Sequence, residues 1–240
     1  MTTAPVSAAI LAGGLATRLR PLTETIPKSL IDVNGEPFIA HQLRLLRENQ
    51  IERVVLCVGY LGEEIQEVIG DGARFDLQVE YSFDSPKLIG TAGALKGALP
   101  FLPDDFLVLY GDSYLDFDYQ AAWRSFQAGN KLSLMTVFAN DGRWENSNVE
   151  YDGVSIISYD KQNPTRQMRY LDYGLGIFKK EAFGFVPTRQ PHDLAQLYQD
   201  MLKQNQLAAF EVRNRFYEIG SVSGLQETRQ YLASRSKSKE

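Results

Sequence analysis

Residues 8–11, Ala-Ala-Ile-Leu, are a short apolar run that stops at Ala12-Gly13-Gly14, and this junction constrains the chain more than any other stretch. Four apolar residues suit a strand buried on both faces, and the paired glycines turn its carboxyl end into a loop. Backbone N–H groups in such a loop can approach a polyanion closely, because no Cβ stands in the way. Thr17 adds a hydroxyl donor, and Arg18 and Lys28 add two cations in the same stretch. A phosphate chain is the ligand that fits. The loop contains neither G-x-x-x-x-G-K-[ST] nor G-x-G-x-x-G, so it is not a Walker P-loop or the dinucleotide fingerprint.

The segments that follow alternate between strand and helix. Pro37 opens a helix whose apolar positions Phe38, Leu43, Leu45 and Leu46 run to Gln50, and residues 53–59 read as a second buried strand. Residues 63–69 continue as a helix, Gly70-Asp71-Gly72 turn, and residues 77–82 alternate as a strand. A loop then leads into Gly90-Thr91-Ala92-Gly93 and a helix. Small residues there either let a planar group or a phosphate reach the helix N–H groups or allow a close helix-to-sheet contact. Residues 106–110 form a dense apolar strand that ends in Gly111-Asp112-Ser113. Asp112 is either a turn residue or a carboxylate that holds a divalent ion beside phosphates; two cations on another loop of the same sheet edge favour the ion. Asp116 and Asp118 suit an outer shell, and Asp118 equally suits the N-cap of a helix through Ala121, Ala122 and Trp123. The expected fold is α/β, with a Rossmann-like, mostly parallel central sheet, helices on both faces, and ligands beyond the strand carboxyl ends.

After Gly129 helices become scarcer. Residues 131–138, 148–152, 154–159 and 170–178 are strand-like, with Asp152-Gly153 as a hairpin turn. They read as a smaller accessory β region over the active site. A single domain is expected over 1–233, with a nucleotide-binding half (1–128), an acceptor half (129–233) and a flexible tail at 234–240. With 25 basic and 30 acidic residues the formal charge is −5, so no global field draws nucleic acid to the chain. Apolar runs fall short of the roughly 18 residues of a membrane span, and no charged-then-apolar leader opens the sequence. Cys57, the single cysteine, sits in a strand and reads as a core residue. A cytoplasmic location is expected. His41 and His192 have no partner at ligand spacing and are read as structural.

The stretch L-A-G-G-x-x-T-R-L-R-P-L-T, then P-K-S-L, Gly90-Thr91-Ala92, Gly111-Asp112, Asp160-Lys161 and Glu218-Ile219-Gly220, resembles the signature of the sugar-1-phosphate nucleotidylyltransferases. The resemblance implies the nucleotide-diphospho-sugar transferase fold and attack of a sugar 1-phosphate on the α-phosphorus of an NTP, with pyrophosphate leaving. It places Leu11, Ala12, Gly13, Gly14, Thr17, Asp84, Gly90, Thr91 and Ala92 around the nucleotide. Arg18, Lys28 and Asp112 become catalytic residues. Asp112 and Glu218 become ligands of Mg²⁺, with Mn²⁺ as an alternative. Asp160, Lys161, Asp172, Gly174 and Asn148 become contacts of the sugar phosphate.

Several positions depart from the family. Glu218 stands where an Asp is usual, and its other reading is a charge at a helix start. Asp160-Lys161 precedes Gln162-Asn163-Pro164 where the family shows Glu-Lys-Pro, and alone it would read as a solvated turn. Asp84 lies about one residue farther from the Gly-Thr-Ala element than the family's base-reading residue. Tyr173 is bulkier than usual and Asn146-Ser147-Asn148 replaces a Tyr-Gly pair, so the sugar pocket is expected to be remodelled. Short members with a comparable first half resemble mannose- or heptose-1-phosphate guanylyltransferases and N-acetylmuramate-1-phosphate uridylyltransferases. GTP with a manno-configured sugar is expected; uridylyl or cytidylyl transfer to an amino sugar or phosphocholine, and a catalytically silent nucleotide- or sugar-binding subunit, are the alternatives. From the length, the C-terminal β-helix of some relatives, with its second acetyltransferase activity, is not expected. The expected partners are an NTP and a sugar 1-phosphate, without nucleic acid or membrane, in a monomer or homodimer.

Overall fold

A computed structural model describes residues 6–14, 25–84, 89–144, 146–187 and 190–237. The first half runs β1 (Ser7–Leu11), β2 (Asp32–Val33), β3 (Glu36–Pro37), α1 (Phe38–Glu48), β4 (Arg53–Val58), α2 (Gly62–Ile69), β5 (Gln78–Phe83), α3 (Thr91–Ala98) and β6 (Asp105–Tyr110). The second half adds β7 (Ser113–Tyr114), α4 (Tyr119–Ala128), β8 (Ser133–Ala139), β9 (Val149–Tyr151), β10 (Ile156–Tyr159), β11 (Tyr170–Lys179), α5 (Leu194–Lys203), β12 (Leu207–Val212), β13 (Tyr217–Glu218) and α6 (Val222–Lys237).

β5, β4, β1 and β6 lie side by side and parallel, with Ala9 between Val55 and Val108. The chain steps from β1 outward through β4 to β5, then returns through α3 to place β6 on the other flank of β1. That reversal is the topological switch point of an open α/β sheet, and a crevice forms at the strand carboxyl ends there. Alternation along the strands sends side chains to two cores. Ala8, Ile10, Val54, Leu56 and Val58 pack with α1, α2, α4 and α6; Ala9, Val55, Cys57 and Val108 pack with α3 and α5.

The expected mostly parallel sheet with helices on both faces is present. The strands after Gly129 are placed differently from the expectation of a region lying over the site: they extend the same sheet. β11 runs antiparallel to β6 on one side and to β8 on the other, β12 pairs parallel with β8, and β9 and β10 continue from the start of β11. A strand as long as β11 can pair with three neighbours, so its backbone groups tie the two halves edge to edge.

Residues 234–237, read from the sequence as the start of a loose tail, are the end of α6. Arg235 donates to Asp116 Oδ2 at 2.7 Å and to Glu48 Oε2 at 2.7 Å, and its guanidinium lies over the Tyr114 ring. Asp116 also accepts from the Tyr231 hydroxyl at 2.5 Å. Asp116 therefore anchors α6 and is no outer shell for a metal, while Asp118 caps α4 by accepting the Ala121 N–H at 3.0 Å. No helix among the described residues is long and apolar enough to cross a membrane. A chain ending at Ala233 should lose about 2 kcal/mol of stability in chemical denaturation, the scale of a half-buried charged network; a frayed tail would be removed without effect.

Candidate active site

The crevice at the switch point is a cavity of about 610 Å³ lined by loops from both halves of the chain. The β1 loop supplies Leu11, Ala12, Gly13 and Gly14, and the β6 loop supplies Tyr110, Gly111 and Asp112. Backbone meets backbone here. Gly111 donates its N–H to Leu11 O at 2.9 Å, and a Cβ on Gly111 would fall 2.7 Å from that oxygen. A Cβ on Gly13 would lie 3.0 Å from the amide nitrogen of Gly59, in the loop after β4. Side chains at these glycines would push the strand ends apart.

Lys28 opens a one-turn 3-10 helix, Lys28–Leu30, and its Nζ lies 2.6 Å from Asp112 Oδ2. The other Asp112 oxygen accepts from Ser113 Oγ at 3.2 Å. Gln42 of α1 holds this loop by donating from Nε2 to Tyr110 O at 2.9 Å and to Ser113 O at 2.8 Å. Ser29 also lines the cavity and is buried, with no partner for its hydroxyl among the described residues. Thr17 and Arg18, the other donors expected here, lie outside the described residues.

The far wall is made by Cys57, Asp84, Gly90, Thr91 and Ala94, together with Pro191 and Asp193. The N–H groups at the start of α3 are engaged by the protein. Thr91 donates to Asp193 Oδ1 at 3.3 Å, and Ala92 and Gly93 donate to His192 O at 3.0 and 3.2 Å. In return Leu194 N–H donates to Thr91 Oγ1 at 2.7 Å. Of the two readings of these small residues, close packing is what the α3 start shows, against the segment that leads into α5. Gly90, at φ +76°, and Thr91 still form wall, whereas Ala92 is fully buried behind it. Burial raises the Asp84 pKa. Burial, helped by the nearby Asp84 charge, pushes the Cys57 thiol up to about 12.

Four expected acceptor residues gather beside Tyr110. Lys161 Nζ lies 2.9 Å from Asp172 Oδ2 and over the Tyr110 ring, Gly174 donates its N–H to Asp172 Oδ1 at 3.2 Å, and Asn148 Oδ1 accepts the Asp172 N–H at 2.9 Å. Asp160 points elsewhere; its Oδ1 accepts the N–H groups of Gln162 and Asn163 in an exposed turn, and those bonds lower its pKa. Tyr173 does not remodel this pocket. Strand alternation turns it to the opposite face, where it packs against Phe117, Phe138 and Phe216.

Glu218 pairs through β13 with Ser113, next to Asp112 in sequence. Its carboxylate accepts from Gly220 N–H and, at 2.6 Å, from Ser221 Oγ at the start of α6. Gly220, not Glu218, is the member of that segment on the cavity wall.

The sequence pattern of the Nucleotidyl transferase family matches residues 7–235, which takes in every wall of this cavity. The chain belongs to this family. It is therefore an enzyme of the nucleotidyltransferase class, in keeping with its resemblance at the Gly-Gly loop, Lys28 and Asp112. Similar relatives include the N-acetylmuramate alpha-1-phosphate uridylyltransferase of Neisseria meningitidis serogroup B, 31% identical over 92% of this chain and 96% of the relative. The D-glycero-alpha-D-manno-heptose 1-phosphate guanylyltransferase of Campylobacter jejuni is 28% identical, over 90% of this chain and 95% of its own. A UTP–glucose-1-phosphate uridylyltransferase of Synechocystis is 31% identical over 79% of this chain, which spans only 53% of that protein. Among solved structures, HddC of Yersinia pseudotuberculosis complexed with GMP-PN superposes with a TM-score of 0.76 at 22% identity, over 95% and 99% of the two chains. The inositol-1-phosphate CTP transferase of T. maritima does so at 0.77 and 20%, over 95% and 96%. These likenesses carry the fold.

Pro191, Asp193, Gln42 and Ser29 were not foreseen as site residues. Asp193 and Gln196 form a capping box on α5, a pattern visible in the sequence, but its docking against Thr91 is not. With its thiol shifted to about 12, Cys57 should resist alkylation by a thiol reagent at pH 8 in the native enzyme and react fully in denaturant, as followed by mass spectrometry.

Proposed function

We propose that this nucleotidyltransferase joins GTP and a manno-configured hexose or heptose 1-phosphate, giving the GDP-sugar and pyrophosphate. The observation that carries the reading is the Lys28–Asp112 pair, 2.6 Å apart, on the wall of a cavity that also includes Tyr110, over whose ring Lys161 lies. An acceptor phosphate oxygen forms a bond to the α-phosphorus, and the bond from that phosphorus to the bridging oxygen of pyrophosphate breaks. A phosphate is ionised near neutral pH, so no protein base has to remove a proton, and positioning with charge neutralisation supplies the catalysis. In this reading Lys28 binds the triphosphate as a compact cation, Arg18 neutralises the departing pyrophosphate, and Lys161 holds the acceptor phosphate. The Gly13-Gly14 backbone lies along the nucleotide.

A divalent ion fits the donor set at one point. Asp112 is a partly exposed carboxylate on the cavity wall, and Mg²⁺ binds through one or two carboxylates with water and phosphate oxygens completing its shell. Bound there, Mg²⁺ would neutralise phosphate charge. No group of three or more His, Cys, Asp or Glu among the described residues could hold a metal without substrate. Glu218 would join as a second ligand only by exchanging its bonds to Gly220 and Ser221. If it does so, Glu218→Gln should shift the Mg²⁺ activation curve strongly and Glu218→Asp much less. If it stays at the helix start, the curve should not move and stability should fall by at most about 1 kcal/mol. Initial rates titrated with Mg²⁺ decide between the two.

Asp84 supports GTP as the donor. A carboxylate accepts two parallel hydrogen bonds from the N1–H and N2–H of guanine, and only one from the N3–H of uracil. The Neisseria and Synechocystis relatives favour uridylyl transfer instead. Pyrophosphate release measured across four NTPs and a panel of sugar 1-phosphates tests the reading. GTP should be preferred, and Asp84→Asn should narrow its advantage over UTP by about tenfold or more, the worth of one good polar contact. A preference for UTP that Asp84→Asn leaves untouched would overturn the donor assignment.

A further inference from the structure

Asp172 is set up unlike a sugar contact. Its side chain is 1% exposed, and both oxygens are engaged. Oδ2 lies 2.9 Å from Lys161 Nζ and accepts the Tyr159 hydroxyl at 3.2 Å; Oδ1 accepts Gly174 N–H at 3.2 Å. The backbone is shaped to make the last bond. The pairing of β11 with β8 slips between Asp172 and Gly176, and Gly174 sits at φ +107°, a conformation a residue with a Cβ rarely takes. Asn148 fixes the Asp172 N–H from the neighbouring chain segment.

Lys161, by contrast, keeps its side chain 38% exposed, with Nζ 5.2 Å from the Tyr110 ring centroid and 6.0 Å from that of Tyr159. Burial alone would lower the Lys161 pKa, but the Asp172 charge outweighs it and the ammonium form is held. A sugar hydroxyl could reach Asp172 only by displacing Lys161.

We infer that Asp172 is a positioning residue: through the buried Asp172–Tyr159–Gly174 arrangement it fixes the Lys161 ammonium against Tyr110, a residue of the cavity wall, and it does not itself touch the acceptor. The inference rests on Lys161 being the ligand of the acceptor phosphate. A long, flexible lysine loses side-chain entropy when it binds a phosphate, and a lysine already held in place has lost that freedom beforehand. The partner must also be anionic, because a neutral residue would leave the partly buried ammonium uncompensated.

The test is steady-state kinetics on wild type, Asp172→Asn, Lys161→Ala, the double variant and Tyr159→Phe, with NTP and sugar 1-phosphate varied separately. Asp172→Asn should raise KM for the acceptor by about tenfold or more while KM for the NTP moves by less than about twofold. In the Lys161→Ala background the same change should add nothing further, because its effect passes through that lysine. Tyr159→Phe keeps the charge and the fold and should raise the acceptor KM a few-fold, so the inference stays testable even where Asp172→Asn fails to fold. An undiminished effect of Asp172→Asn without Lys161 would show a direct acceptor contact and overturn the inference. So would an unchanged acceptor KM in a folded, active Asp172→Asn enzyme. Wild type that turns over no sugar 1-phosphate would instead refute the acceptor reading. The held ammonium is then tested by ¹⁵N-lysine NMR, where a Lys161 Nζ signal present in wild type should vanish in Asp172→Asn, and its persistence would overturn the inference.

Discussion

The hydrogen bond from Gly111 N–H to Leu11 O, with no side chain between the two strand ends, is the contact on which the rest of the site depends. It holds the carboxyl ends of β1 and β6 together at the point where the sheet reverses its order. Both neighbours of β1 are parallel to it, so three loops leave the sheet on one edge, and two of them run backbone against backbone at Gly13 and Gly59. Gln42 adds a brace from below by binding the carbonyls on either side of Gly111-Asp112. The floor of the cavity is therefore main chain held by main chain, which gives it a rigidity that loops carrying side chains alone would lack.

Two lysine–aspartate pairs lie near this floor, Lys28–Asp112 on the cavity wall and Lys161–Asp172 beside Tyr110, and their burial differs. Asp112 is about one-third exposed, so water reaches the pair and a cation can take the place of Lys28 on Asp112 while Lys28 turns to an anion. Asp172 is sealed, and removing its partner would leave a buried charge uncompensated, so that pair is a fixed fitting. The same sheet edge thus carries one exchangeable pair on the cavity wall and one locked pair beside Tyr110. Glu218 belongs to a third kind of arrangement, a carboxylate that satisfies the donors at the start of α6.

The first half of the fold was legible because its elements follow periods that the residues display: short apolar strands, amphipathic α1 and α2, and glycine turns between them. Lys28 and Asp112 were each legible as site residues because each follows a recognisable loop or strand, but their direct contact was not. β12 was not foreseen. Leu207-Ala208-Ala209-Phe210 has no alternation that marks a strand, and it becomes one through its pairing with β8. The apparent tail at 234–237 was misread because Ser and Lys suggest solvent, while Arg235 finds its partners in residues 116 and 48, far away in sequence.

By itself the sequence determined that a glycine loop follows a buried strand, that cations and a carboxylate flank it, and that strands alternate with helices around it. Those are local properties, set by backbone freedom, side-chain charge and periodic burial within a few residues. Only the tertiary structure decided that Asp193 closes one cavity wall against Thr91, that Tyr173 packs against Phe117 on the face opposite Asp172, and that Asp172 pairs with Lys161. Such assignments depend on which face of a strand a side chain takes and on which distant donor reaches it first. A one-residue slip in β11 reverses the face, and nothing local to Asp172 announces the bulge that sets it.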